Sequence, residues 1–252
     1  MILCYHAVNP EWRDYLSVHP RDFVRHAAWL SRRRVGTVTQ AWQSGAGRSR
    51  VLALTFDDGF ADLYAHAFPV LRAAGLPATV YLVAGTLVDG QAVDWVDTAP
   101  EGEPLATLSL DQILEMQEGG VAFGSHTWSH PDLTTVDDAG LDRELGRSRE
   151  ALEDLLGRPV PTLAYPRGRH DERVRRAAER AGYELALSLP SGPEHTSRLA
   201  VPRVGVAGGD STRALGVKAR PAYLRLRTSR IEPAVVRAGS LARRARAAAG
   251  RG

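Results

Sequence analysis

The feature that most restricts this chain is a repeated alternation of short apolar runs with segments of helical periodicity. "ILCYHAV" (2–8), "VLALTF" (51–56), "ATVYLVAG" (78–85), "VAFGSHT" (121–127), "TLAYP" (162–166), "YELALSL" (183–189) and "VPRVGV" (201–206) read as strands. Between them, Phe23, Ala27 and Leu30 lie on one helix face within 21–34. Residues 61–75 carry a helical pattern interrupted by Pro69 and closed by Gly75. Ser109 with Gln112 forms a capping box for a helix through Glu118, stopped by Gly119-Gly120. Further helices are expected over 137–156 and 171–181, and residues 86–108 read as a long irregular stretch. This order implies an α/β fold with a mainly parallel sheet of about seven strands, open or closed into a barrel. In either form the chemistry collects at the C-terminal ends of the strands.

A chain of 252 residues with 44% apolar content can bury one large core. Its single cysteine, Cys4, excludes an internal disulfide framework. No apolar stretch approaches the length of a membrane span, and residues 1–8 lack the pattern of a secretory signal. A cytoplasmic protein is therefore expected. Charge divides the chain: residues 213–252 hold eleven Lys and Arg against one acid, Glu232, so residues 1–212 are mildly acidic. The expected organisation is a catalytic domain over 1–212 and a basic Arg/Ala-rich tail over 213–252, partly helical or disordered. The tail reads as a solvated segment, with peripheral contact to a membrane or another anionic surface as the alternative. Nothing in it argues for nucleic acid.

Polar residues crowd the expected strand ends. The first run carries His6, the second ends in Asp57-Asp58-Gly59, another in His126 with His130 beyond, and a later one in Tyr165-Pro166-Arg167-Gly168. Buried histidines and aspartates must each find partners, so their gathering at one end of a sheet argues for a site. Two histidines four apart would share one side of a helical turn, which Pro131 prevents from extending. Two imidazoles and a carboxylate make a common ligand set for a catalytic metal. Adjacent carboxylates at a strand end can diverge, one towards a metal and the other towards a proton. Gly59 permits the sharp departure of the chain that follows them.

"TFDDGF", "SHTWSHP" and "AYPRG", in that order, resemble the polysaccharide deacetylase family, also called the NodB-homology or carbohydrate esterase 4 group. The resemblance covers roughly residues 1 to 206. It implies an irregular, incomplete (β/α) barrel and a hydrolase acting on carbon–nitrogen bonds. Such an enzyme removes acetyl groups from N-acetylated sugars or polysaccharides with a divalent metal, usually zinc. By motif position it implies Asp57 as general base and Asp58, His126 and His130 as metal ligands.

Three departures from the better-known branch stand out. The position of the arginine that usually partners the base is Ala164, the residue after the motif proline is Arg167 rather than an aromatic, and "LALSL" ends in Leu189 where a catalytic histidine is usual. "YHAV" (5–8) and "VPRVGV" are similar to a sub-branch of poly-N-acetylglucosamine deacetylases. That similarity implies His6 as the general acid and Arg203 as a partner of Asp57. Tyr165 and the backbone of Arg167 are candidates for the substrate or oxyanion site, and Trp95 for stacking on a sugar face. Trp128 is expected to pack beneath the metal turn. Two other readings use the same residues: a non-haem iron oxygenase with these ligands, and a non-catalytic carbohydrate-binding relative.

Overall fold

The computed structural model describes residues 1–45, 51–100, 104–190, 192–194 and 196–229. Strand β1 (Ile2–Tyr5) is followed by the two-residue strands β2 (Ala7–Val8) and β3 (Ser17–Val18), which pair with each other. Helices α1 (Pro20–Leu30) and α2 (Val38–Gln43) lead to β4 (Ala53–Phe56), and α3 (Phe68–Ala74) to β5 (Ala78–Leu82). Then come α4 (Ala84–Val88), α5 (Leu110–Glu118), β6 (Ala122–Ser125), α6 (Asp138–Asp142), α7 (Ser148–Leu156) and β7 (Thr162–Ala164). The chain continues through α8 (Glu172–Arg180), β8 (Leu185–Ser188), β9 (Val201–Gly205), α9 (Thr212–Lys218) and α10 (Pro221–Arg227).

Seven of these strands form a closed parallel barrel in the order β1-β4-β5-β6-β7-β8-β9, sealed where Ile2 of β1 pairs with Arg203 of β9. A parallel barrel is covered on both faces, which is why its strands read as continuous apolar runs. Alternate residues divide between two layers. Ile2, Ala53, Tyr81, Ala164, Leu187 and Val201 share one cluster. Leu3, Leu54, Val80, Leu163 and Val204 share another with helix residues such as Phe23, Ile113 and Val174.

Three local departures from the expected elements have physical reasons. The run 2–8 is two strands broken at His6, because Tyr5 ends the barrel ladder while Ala7 turns to pair with Ser17. The run 78–85 stops at Leu82, and the short α4 begins at Ala84, where two amides bond to the carbonyls of Thr127 and Trp128. Pro69 brings no N–H, and the chain before it winds as a π turn over Leu63–Ala67, in which Phe68 bonds five residues back to Leu63. The capping box of Ser109 and Gln112 forms as expected.

The change to basic composition at 213 falls inside a packed region. Helix α9 begins at Thr212, and its Leu215 is fully buried, while α10 lies against β9. Residues 230–252 of the basic segment lie outside the described residues. No helix among the described residues is long and apolar enough to cross a membrane.

Candidate active site

Among the described residues, four that are not glycine have positive φ: Asp58 (68°), Thr127 (73°), His130 (60°) and Arg167 (56°). All four lie in the loops that leave the C-terminal ends of β4, β6 and β7. Left-handed backbone is costly for such residues and persists where surrounding contacts hold it, often at functional sites. At β4 the last ladder bond runs from the Asp57 N–H to the Tyr5 carbonyl. Asp58 and then Gly59 (φ 63°) turn sharply away, and a Cβ on Gly59 would stand 2.8 Å from Leu82. The departure is therefore shared between Asp58 and Gly59.

Asp57 points into the barrel. Arg203, fully buried on β9, donates to Oδ1 at 2.6 Å and to Oδ2 at 2.8 Å, a two-pronged ion pair. The same guanidinium donates to Thr55 Oγ1 and to the Ser188 carbonyl. Cys4 Sγ donates to Asp57 Oδ2 at 3.4 Å. Burial pushes the Asp57 carboxyl upward, but Arg203, with His126 adding to it, holds the group well below the usual carboxylate range. Position 164 is a fully buried alanine, and the arginine that engages Asp57 arrives instead from β9.

Asp58 turns the other way. Its Oδ1 lies 3.4 Å from His130 Nε2 and 3.7 Å from His126 Nε2. His126 Nδ1 is bonded to the Ala164 carbonyl at 2.7 Å, so Nδ1 carries the proton and Nε2 presents a lone pair. Burial lowers both histidines, His130 to about 2, and both rings are neutral. Burial and the charge of Asp57 raise Asp58 to about 8. The close approaches are thus not ion pairs: two imidazoles and one carboxyl crowd their polar atoms within 4.8 Å of one another, a convergence that a divalent cation would relieve. Ligands about 2.0–2.2 Å from a tetrahedral zinc stand about 3.3–3.6 Å apart, close to the distances found here. Among the described residues, His130 Nδ1 is buried without a hydrogen-bond partner. Asp58, His126 and His130 form a donor set that could hold a divalent metal.

The loop carrying the histidines is not a helical turn. Glu144 braces it by accepting from the amides of Trp128 and Ser129 and from Ser129 Oγ. The Ser125 and Thr127 side chains accept from the amides of Thr127 and His130. The rings converge, with centroids 4.8 Å apart, although the backbone between them is irregular.

The other expected residues separate. His6 is at the site, with a ring nitrogen, Cys4 Sγ and an Asp57 oxygen all within 4.8 Å of one another. Burial pushes it to about 4 despite Asp57, so it is neutral near pH 7. Trp95 is present as well, but it stacks on His130 at 4.9 Å and donates from Nε1 to Asp58 Oδ1 at 3.0 Å. Its Nε1 and one ring face are therefore engaged by Asp58 and His130. The Tyr165 side chain is not at the site: it is fully buried and donates to the Leu199 carbonyl. Strand alternation sends it into the layer between sheet and helices. Arg167 is exposed at the rim, and Gly168 behind it (φ 69°) packs on the Leu189 backbone so closely that a Cβ would stand 2.3 Å away. Trp128 lies off the site, donating to Asp89 with Arg147 over its ring. Sequence reasoning missed Cys4 and Glu144, neither of which belongs to a motif.

Comparison with known proteins agrees with this geometry. The family described as "Polysaccharide deacetylase" matches residues 44–186. YxkH of Bacillus subtilis (strain 168), whose name places it among polysaccharide deacetylases, is 26% identical over 85% of this chain and 74% of its own. The poly-beta-1,6-N-acetyl-D-glucosamine N-deacetylase of Escherichia coli (strain K12) is 26% identical over 83% of this chain, which spans only 37% of that longer protein. Among solved structures, the Streptococcus pyogenes deacetylase PplD superposes with a TM-score of 0.74 at 26% identity, covering 87% of this chain and 97% of that one. IcaB from Ammonifex degensii superposes with a TM-score of 0.71 at 25% identity, covering 87% and 96%. With the closed barrel, the paired aspartates and the two histidines in place, the chain belongs to the polysaccharide deacetylase family.

Proposed function

We propose that this protein is a carbohydrate N-deacetylase, hydrolysing the acetamide of an N-acetylated sugar with a divalent metal, zinc by the character of its donors. One observation carries the reading: two adjacent aspartates have opposite environments, Asp57 locked on Arg203 and Asp58 turned to two neutral imidazoles. The family and the names of the relatives support the reaction class.

A cation held by Asp58, His126 and His130 would supply Lewis-acid polarisation and lower the pKa of water. Asp57, kept ionised by Arg203, takes the proton of the attacking water as its oxygen bonds to the acetyl carbon. The fork of Arg203 fixes the carboxylate plane, so the base is oriented before substrate arrives. His6 starts neutral and works as a relay rather than a store of protons. The proton climbs a ladder of basicity from Asp57 to His6 to the departing nitrogen. The C–N bond breaks as that nitrogen is protonated, leaving acetate and a free amine. The Arg167 N–H is our candidate donor to the developing oxyanion, a role that needs no particular side chain.

An iron oxygenase using the same three ligands would leave Asp57, Arg203 and His6 without a task. A non-catalytic relative would have no need to keep them. The test is Asp57→Asn, which should retain stoichiometric metal and release no acetate from N-acetylglucosamine oligomers. Acetate release by that variant at the parental rate would overturn the base assignment.

A further inference from the structure

A cleft of about 870 Å3 runs from Thr134, Arg167 and Gly168 to Glu194 and Arg227. It adjoins the site, since Arg167 and Gly168 lie in the turn that leaves β7, whose last residue, Ala164, accepts from His126 Nδ1. Its lining is electrically lopsided: Arg167, Arg169, Arg175 and Arg227 stand against one carboxylate, Glu194. That carboxylate is already engaged, bonded to His170 Nε2 and accepting from Ser188 Oγ at 2.7 Å. Arg169 pairs with Asp132 at 2.6 Å yet remains exposed. Arg175 uses one N–H on His170 Nδ1 at 3.0 Å, and Arg167 forms no hydrogen bond or ion pair among the described residues.

Arg227 donates to the Pro190 carbonyl at 2.8 Å. Guanidinium groups gathered in one cleft repel one another, and they match the planar oxygens of phosphate and carboxylate. The volume is that of a site for a sugar-sized group rather than a bare ion. We propose that the substrate is an anionic glycan, in which the acetamido sugar at the metal donors is joined to a phosphate ester or a sugar carboxylate held in this arginine cleft. The inference deepens the deacetylase reading and rests on it for the position of the sugar.

The test is a binding measurement, so that it can fail independently of turnover. Calorimetry on the metal-loaded full chain carrying Asp57→Asn compares N-acetylglucosamine 1- and 6-phosphate, N-acetylmuramic acid and the neutral methyl N-acetylglucosaminide. At low salt an anionic sugar should bind about tenfold or more tightly than the neutral one, a preference that fades as salt screens it. A phosphate preference assigns the ester, and a muramic acid preference the carboxylate. Adding Arg169→Gln and Arg175→Gln should abolish the preference and leave neutral-sugar affinity and the melting temperature unchanged. Equal binding of all four sugars, or a preference that survives both substitutions, would overturn the proposal. Absence of acetate release by the parental chain would instead count against the deacetylase reading alone.

Discussion

Arg203 is where stability and chemistry meet, and removing its charge should alter both in a recognisable way. In Arg203→Met, Asp57 stays buried and loses both prongs of its ion pair, held now at 2.6 and 2.8 Å. Breaking one side of a buried pair costs about 3–5 kcal/mol, a large share of a typical domain's stability of about 5–15 kcal/mol. Arg203→Lys keeps a charge but loses the fork, and a charge-assisted bond is worth about 1.5–3 kcal/mol, so its loss should be smaller. The pH dependence gives the sharper signature. In the parent, the depressed Asp57 contributes stability that is present above the unfolded carboxylate value of about 3.9 and is lost as pH falls towards the folded value. Without Arg203, burial dominates and raises Asp57, so the sign reverses and the penalty grows as pH rises above about 3.9. The stability deficit of Arg203→Met should therefore shrink on acidification, while the acid limb of kcat/KM moves to higher pH. Thermal melts and acetate-release profiles across pH measure both. A Met variant with the parental acid limb and a pH-independent deficit would refute this coupling.

Other outcomes follow from single contacts. Trp95→Phe keeps a ring beside His130 but removes the donor to Asp58, so metal affinity should fall by about tenfold to a hundredfold, with turnover restored at saturating metal. Competition with a metal indicator checks it. His6→Ala should lower kcat by about 10²–10⁴-fold and leave metal content unchanged, which elemental analysis and steady-state kinetics resolve together. His26 is fully buried, bonded to the Asp210 carbonyl at 2.8 Å and to the Tyr5 hydroxyl, and burial lowers its pKa. A histidine buried neutral contributes stability that is lost as pH falls below its unfolded value of about 6.5, so the melting temperature should drop over that range. His26→Gln should flatten that part of the profile.

Much of the fold was legible because a parallel barrel writes itself as repeated apolar runs, and the site because its polar residues end those runs. What escaped was mostly non-local or backbone-borne. The pairing of Arg203 with Asp57, expected from the family resemblance alone, spans 146 residues and forms only because β9 closes onto β1, so no local pattern could supply it. The left-handed Thr127 and His130 have no compositional signature, so the spacing suggested a helical turn where the structure has a loop braced by Glu144. Tyr165 sits in a recognisable motif, yet strand alternation buries its side chain. Trp95 could be placed near the site from its loop, but its bond to Asp58 depends on a path that no local pattern encodes. The basic composition after 212 hid Leu215, a buried residue that joins α9, packed on α1, to the main core.

If Asp58, His126 and His130 hold a metal on which acetamide hydrolysis depends, removing it must stop the reaction. Acetate released from N-acetylglucosamine oligomers should be measured before chelation, after removal of metal, and after adding back one equivalent of zinc. Release should be matched mole for mole by free amine, lost on chelation and restored by zinc. Release that is indifferent to thorough metal removal would contradict it.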